Sequence, residues 1–559
     1  MSLDAERTSP RRAWLAAALC LAAGVVFWAR LPHLWPLARI DAVLSERVLE
    51  SRARELLARL GFTLEGFDSA SWLRVDTAAL DYLEQAFGID ETQERITGGL
   101  PVFEYRVLLK RRGDPHVLQV YWHPAHGALG FAASVEEDEP GPTLELDAAR
   151  ELAWRAASGE LGLDRGAWTE QSAASRKRPS RTDHEFVYER TLSDVPELRE
   201  RLSLAVAGDE VVSARRSLVV PAQAERAARA AEAPAVALET FGFALLAVAA
   251  TAAFFVFLVH LRDGTVRLRT ALVWPAAVLG CFTAATALDT ARLFRAWEPL
   301  WPRTVSTLRE MVLGQAELIW VLLVLLAVIG AGDALDRASG ALRGASLGAL
   351  ARGRLLDRAV ALASARGFAV GLVCGAVMAV TVWGIGLVAP CRVSIQPRGF
   401  FFYPLNSAVP ALTSLLFFTG VALAEELGYR FFGATWLLKL TRRPWIAVIV
   451  PGLVYGLTHT RLDFLPPAEP FWARPLVLTL VGCVWGVAFL RYDALTVVLS
   501  HLTADLFIFN WPALASGEVT AVATAALTIC VPLAPAVLYP LVVRGSVDLR
   551  REVHDARTD

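Results

Sequence analysis

About nine apolar segments follow one another from near residue 236 onward, several of them near the roughly 20 residues that a helix needs to cross a bilayer. They lie near 236–261, 270–291, 309–331, 366–389, 406–428, 444–459, 474–490, 494–511 and 518–543. An earlier stretch, AWLAAALCLAAGVVFWA (13–29), follows Arg7, Arg11 and Arg12. No small-residue cleavage site follows it, so an uncleaved anchor is expected. In hydrocarbon, every backbone polar group must be satisfied inside its own segment, which makes these segments helices. The chain is therefore read as mainly α: a polytopic membrane helical bundle with about ten transmembrane helices. Composition agrees, with 55% hydrophobic residues and a mean hydropathy of +0.42. A formal net charge of −1 gives no support for a nucleic-acid partner.

The polar stretch 38–235 has no spanning run and forms a separate region. SERVLESRARELLARLGF (45–62) has helical periodicity, and VFEYRVLLKR and HVLQVYWHP alternate as strands around Gly113-Asp114-Pro115. LDAARELAWRAASGEL (146–161) starts a second unit, followed by the strands HEFVYERT and RLSLAVAGDEVVSARRSLVV with a turn at Gly208-Asp209. Helix and antiparallel strands thus occur twice in tandem, as an α+β region of two units. The arrangement resembles PepSY-like modules in pattern alone. His116, His123 and His126 read as surface histidines of a hairpin. The six cysteines show no CxxC spacing and read as small apolar side chains.

Arginine places the loops. Those at 262–269, 336–358 and 441–443, the Arg-rich segment after Val543 and the N-terminus fall on one side of the membrane. The positive-inside rule makes that side cytoplasmic, with both termini inside and 38–235 outside. The near absence of lysine, found at Lys110, Lys177 and Lys439, together with Ala and Leu richness, points to a GC-rich bacterial gene and so to a bacterial inner membrane.

Three motifs put ionisable groups in or at the ends of apolar segments: Glu425-Glu426-Leu427-Gly428-Tyr429-Arg430, Tyr455-Gly456-Leu457-Thr458-His459, and His501-Leu502-Thr503-Ala504-Asp505. Such groups are costly in lipid and call for a polar cavity. Glu426 and Arg430 are i,i+4 and suit a structural ion pair, while Glu425 points about 100° away. His501 and Asp505 share a helix face, and Tyr455 backs the imidazole of His459. Glu425 and His459 are equally far from Arg442, so a hairpin around that loop brings them to one height, roughly 20 Å from its cytoplasmic end at about 1.5 Å per residue. A carboxylate beside a histidine in a water-poor cavity can deprotonate a water, and a second histidine can bind an oxyanion. The same four residues, Glu425, His459, His501 and Asp505, can instead bind Zn²⁺ with a water.

In order, EExxxR, aromatic-xxx-His and HxxxD resemble the motifs of the CPBP family, the CAAX proteases and bacteriocin-processing or bacteriocin-immunity (Abi) proteins. The likeness extends over about 366–545, by the extent of the spans around the motifs. It implies an intramembrane endopeptidase acting on a membrane-associated protein or peptide. In it Glu425 would activate water with His459 as partner, and His501 and Asp505 would stabilise the oxyanion. Glu426, Arg430 and Tyr455 would be structural. The resemblance admits both a zinc mechanism and a metal-free glutamate mechanism. Two positions depart from the family pattern: Tyr455 stands for Phe and Asp505 for Asn. An ionised Asp cannot donate a hydrogen bond, which puts its oxyanion role in question. No feature points to prenylated substrates.

The expected division is 1–37 as tail and anchor, 38–140 and 141–235 as the two α+β units, and 236–365 as accessory transmembrane helices. The catalytic bundle then occupies 366–545 and a cytoplasmic tail 546–559. Two other function classes compete: a non-enzymatic scaffold or immunity-type protein, and a proton-coupled transporter using the buried acids.

Overall fold

A computed structural model describes residues 10–34, 46–192, 195–394, 407, 409–461, 468–515 and 518–542. The tail expected at 546–559 lies outside these residues.

The polar region folds as one antiparallel sheet with helices on it. Its helices are α2 (Glu46–Arg59), α3 (Thr77–Phe87), α4 (Ile89–Thr97) and α5 (Leu146–Leu161); α1 (Pro10–Leu34) precedes them. Its strands are β1 (Phe67–Val75), β2 (Phe103–Arg111), β3 (Val117–His123), β4 (Gly127–Ala133), β5 (Thr169–Lys177), β6 (Thr182–Leu192), β7 (Val195–Ala207) and β8 (Glu210–Val219). Their order is β1-β2-β3-β4-β8-β7-β6-β5. Each half is thus a run of four strands with a helix ahead of it. The two join where β4 pairs β8, with Phe131 opposite Ala214. A β-carbon at Gly130 would lie 2.1 Å from the Ala214 carbonyl oxygen, so the seam requires glycine. The tandem units are therefore one continuous sheet. Leu56 and Leu57 of α2 and Trp154 of α5 are buried in the same core as Val107, Val120 and Phe131. His123 is 2% exposed rather than superficial, because its Nδ1 accepts from the backbone N–H groups of Ala125 and His126 and tightens the turn.

The bundle follows. It comprises α6 (Ala222–Arg262), α7 (Leu268–Leu288), α8 (Thr290–Ala296), α9 (Arg303–Ser339), α10 (Ala345–Ala351), α11 (Arg358–Gly386), α12 (Pro410–Glu426), α13 (Thr435–Thr441), α14 (Pro444–Thr458), α15 (Ala473–Arg491), α16 (Ala494–Phe509), α17 (Trp511–Ala515) and α18 (Val519–Cys530). Seven helical stretches among the described residues are long and apolar enough to cross a membrane, and three more apolar stretches are shorter: Ala18–Leu31, Pro444–Thr458 and Ala494–Phe509. The protein is a multi-pass integral membrane protein. α6 begins well before the apolar run that starts near 236 and is 41 residues long. Its first part, AQAERAARAAEA, is rich in strong helix formers but too polar to look like a span. α1 packs on α11, where a β-carbon at Gly375 would lie 2.3 Å from the Phe27 ring.

The sheet docks on the segment between α7 and α9. Trp72 and Leu108 pack with Phe294 and Trp297. Lys110 is buried and donates to the carbonyls of Phe294, Arg295 and Trp297 at 3.3, 3.0 and 2.5 Å. Those carbonyls close α8, where a cation is favoured. Burial lowers the pKa of this ammonium and Glu298 opposes the shift. At the opposite end of the bundle, Asp333 of α9 binds Arg267 and Arg337, the backbone N–H of Ala494 donates to the Arg343 carbonyl, and Ser346 donates to Asp493.

Candidate active site

α12 carries Glu425 and Glu426 at its end and then widens into a π-helical segment, Leu427–Ala434. Such wide turns leave i→i+4 bonding, re-aim side chains and are frequent at functional sites. The chain turns at Arg442, in the left-handed region at φ 57°, and returns as α14. That return sets His459, just past Thr458, against Glu425: His459 Nε2 is 3.5 Å from Glu425 Oε1. α16 brings His501, whose Nε2 is 3.8 Å from Glu425 Oε2 and 3.4 Å from Asp505 Oδ2. Each oxygen of Glu425 thus faces a different imidazole. The structure brings all four of the expected polar groups together from three helices.

The contacts around these four groups assign further parts. His459 Nδ1 is 2.7 Å from the Tyr455 carbonyl one turn back. An N–H there donates to the carbonyl and leaves Nε2, the nitrogen facing Glu425, with a lone pair. Glu426 accepts from Arg430 at 2.9 Å, and Arg430 also donates to the Gly482 carbonyl at 3.2 Å. The same Glu426 oxygen lies 2.9 Å from His501 Nδ1. Glu426 is therefore more than a counter-charge, because it also fixes the His501 ring. The Tyr455 ring lies 4.2 Å from the His459 ring and edge-on to His501 at 6.1 Å. Arg430 stands over it at 4.8 Å.

All seven of these residues fall inside the stretch recognised by a protein-family model. Residues 407–507 match the family described as Rce1-like, type II CAAX prenyl endopeptidase. No curated protein and no solved structure matches the chain. The family is one of peptide-bond hydrolases of the CAAX type, and a membrane-embedded member acts on peptide substrates in the bilayer.

Two more residues of the matched stretch belong to the site, although no motif marks them in the sequence. Trp485 stacks on His501 with ring centres 4.3 Å apart and donates its indole N–H to Ser500 at 2.9 Å. The available signal was position: a tryptophan in mid-span rather than at an interface needs a partner for its N–H. Tyr429 shares a 2.9 Å hydrogen bond with Thr458, tying the π-helical segment to the end of α14.

The polar cluster faces an apolar cavity of about 160 Å³, lined by Met378, Phe417, Phe418, Val481 and Phe509 among others. From the other side Glu425 and His459 also border a groove of about 430 Å³, walled by Phe243 and Leu246 of α6 and Trp320 and Val324 of α9. Glu425 Oε2 and Glu426 Oε2 are buried without a hydrogen-bond partner. Among the described residues no group of three or more His, Cys, Asp and Glu side chains has the arrangement of a metal site. Glu425 divides its oxygens between two histidines instead of converging with them on one point, so the donor set does not form a ready zinc site.

Proposed function

We propose that the protein is an intramembrane endopeptidase in which Glu425 is the general base, His459 its partner and His501 the oxyanion donor. One observation carries the reading: the two oxygens of Glu425 face the Nε2 atoms of His459 and His501 at 3.5 and 3.8 Å, at the edge of an apolar cavity. A water can donate one hydrogen to Glu425 and the other to the His459 Nε2 lone pair. Its own lone pairs then point to a peptide carbonyl. As its oxygen bonds to the carbonyl carbon, a proton passes to Glu425 and the carbonyl oxygen becomes an oxyanion. His501, protonated on both nitrogens and held at Nδ1 by Glu426, donates from Nε2 to that oxyanion. The C–N bond then breaks and Glu425 returns the proton to the leaving amine. Asp505 lies beside the donating nitrogen and orients it between turnovers.

The groove between α6 and α9 supports approach of the substrate from within the bilayer, since its walls are apolar and it reaches Glu425 directly. The three shorter apolar helices pack in the bundle, two of them carrying site residues. This supports about ten spans in all. The Arg267, Arg337 and Arg343 contacts gather the basic loops at one end, and the sheet docks at the other. This supports both termini cytoplasmic and 38–235 outside, and with the scarcity of lysine in the sequence we place the protein in a bacterial inner membrane. The same reading divides the chain into anchor (1–37), α+β units (38–140 and 141–235), accessory helices (236–365), catalytic bundle (366–545) and tail (546–559), with α6 running across the boundary at 235.

The test is cleavage of membrane-spanning reporter peptides by the full chain in proteoliposomes, with Glu425→Gln and His459→Ala beside wild type. Both variants are expected to lose cleavage by about 100-fold or more, the span of general-base effects. Full cleavage by Glu425→Gln would sink the mechanism. Proton-coupled uptake without cleavage would instead show a transporter, and cellular function intact in both variants a scaffold.

A further inference from the structure

Glu425 and His459 come from the Rce1-like domain, but the helix that holds His459 in place does not. α6 lies outside residues 407–507 and enters the membrane directly from β8 of the sheet. One face of it, Glu232, Ala235, Glu239 and Gly242, repeats at i, i+3, i+7 and i+10, so these residues form one stripe. That stripe meets the end of α14. At Gly242 the two backbones touch: a β-carbon there would lie 2.7 Å from the Leu457 β-carbon and 2.8 Å from the Thr458 nitrogen. One turn back, Glu239 accepts the backbone N–H of Arg461 at 3.0 Å. Two turns further back, Glu232 pairs with the Arg461 guanidinium at 3.1 Å. His459 lies between these holds, after Thr458 and before Arg461.

We infer that Glu239, with Glu232, is a positioning residue that acts through Arg461 and Gly242 to fix His459 against Glu425. The inference rests on the proposed role of the Glu425–His459 pair. Local structure shows why an outside brace is needed. His459 closes α14 with φ −105° and ψ 12°, outside helical geometry, and its N–H turns back to the carbonyls of Gly456, at 3.2 Å, and Leu457 instead of reaching the i−4 carbonyl. Frayed helix ends are soft. The Tyr455 carbonyl holds the His459 ring at Nδ1, and anchoring the chain beyond it fixes the backbone from the other side. The anchor is a carboxylate on a helix rooted in the extracytoplasmic sheet. The catalytic geometry of the C-terminal domain is thereby completed by the N-terminal half of the chain.

The experiment pairs two variants, Glu239→Ala, which removes the acceptor, and Glu239→Gln, which keeps an oxygen in its place. Two readouts on the full-length protein in proteoliposomes are used. Amide hydrogen exchange over 457–461, followed by mass spectrometry, reports the brace whether or not the protein cleaves anything. It is expected to rise at least about tenfold in Glu239→Ala and to stay at the wild-type rate in Glu239→Gln. The kcat for a membrane-spanning reporter peptide is expected to fall about 10- to 100-fold in Glu239→Ala with KM nearly unchanged, the effect of misplacing a reacting group by up to about 1 Å. Glu239→Gln is expected to restore it. Unchanged exchange in Glu239→Ala overturns the brace. Raised exchange with wild-type kcat overturns its role in positioning. Equal loss of kcat in both variants also overturns it, since the acceptor would then be irrelevant. A wild-type protein that exchanges as expected but cleaves no peptide overturns the proteolytic reading and with it the catalytic purpose of the brace.

Discussion

Glu426 and Arg430 offer the sharpest separation of stability from catalysis. Both side chains are 1% exposed and bonded at 2.9 Å, and Glu426 also holds His501 at 2.9 Å. Removing one member of a buried ion pair leaves the other uncompensated and costs about 3–5 kcal/mol, whereas replacing both with apolar residues of similar volume is near neutral. Arg430→Met alone and Glu426→Met alone should each lose about 3–5 kcal/mol, two to four decades in the folding equilibrium. The double variant should return to within about 1 kcal/mol of wild type. Activity should not return with it. His501 Nδ1 then has no carboxylate to fix its ring, and loss of one well-placed oxyanion donor costs about 100-fold or more in kcat.

The stability arm is a titration with sodium dodecyl sulfate in mixed micelles, read by tryptophan fluorescence. The activity arm is reporter cleavage in proteoliposomes. If the two single costs simply add in the double variant, the residues are not a coupled pair. If the stable double variant cleaves at the wild-type rate, Glu426 has no part in orienting His501, and its second contact is incidental.

Three further outcomes are expected. Burial drives the His123 pKa down from 6.5 to about 4, helped by the neighbouring His126. The unfolded chain then binds a proton that the folded one refuses, so stability present above pH 6.5 falls as pH drops toward 4, by at most about 3 kcal/mol. Denaturation of the full chain across this window, compared with His123→Asn, should show the slope in wild type alone. Gly130→Val should break the β4–β8 seam, seen as rapid hydrogen exchange at 130–132 and 213–215, and protection equal to wild type would refute the close approach argued there. Lys110→Met should strip three carbonyls at the end of α8 of their donor and expose the 289–299 segment to protease, while Lys110→Arg should retain some protection.

The spans were legible because lipid imposes a length of about 20 apolar residues. Within them the site was legible where one helix or one hairpin carries the geometry. His501 and Asp505 needed only the i,i+4 rule, and Glu425 and His459 only their equal distance from Arg442. The contact between Glu426 and His501 spans 75 positions and joins two helices whose rotation no local pattern fixes. From sequence, Glu426 accordingly pairs with Arg430 alone. The strands flanking Gly208-Asp209 were visible as a hairpin. β1 was not, since Phe67–Val75 is separated from its partner β2 by α3 and α4. The seam between β4 and β8 left one local trace, the glycine at 130.

The same limit hides the first part of α6. Its polar start has no apolar periodicity because it meets its partner through two carboxylates and a glycine rather than through a hydrophobic stripe. Charged residues on a helix are ordinarily solvated, and a surface ion pair such as Glu232–Arg461 contributes little by itself. What distinguishes Glu239 is that it takes a backbone N–H, two residues after the histidine that closes α14. A carboxylate that accepts a main-chain donor fixes the path of the chain, not merely a side chain. If the brace operates, activity in this protein depends on a helix outside the domain that carries the chemistry, and a truncation starting at residue 407 should lack turnover even where it folds.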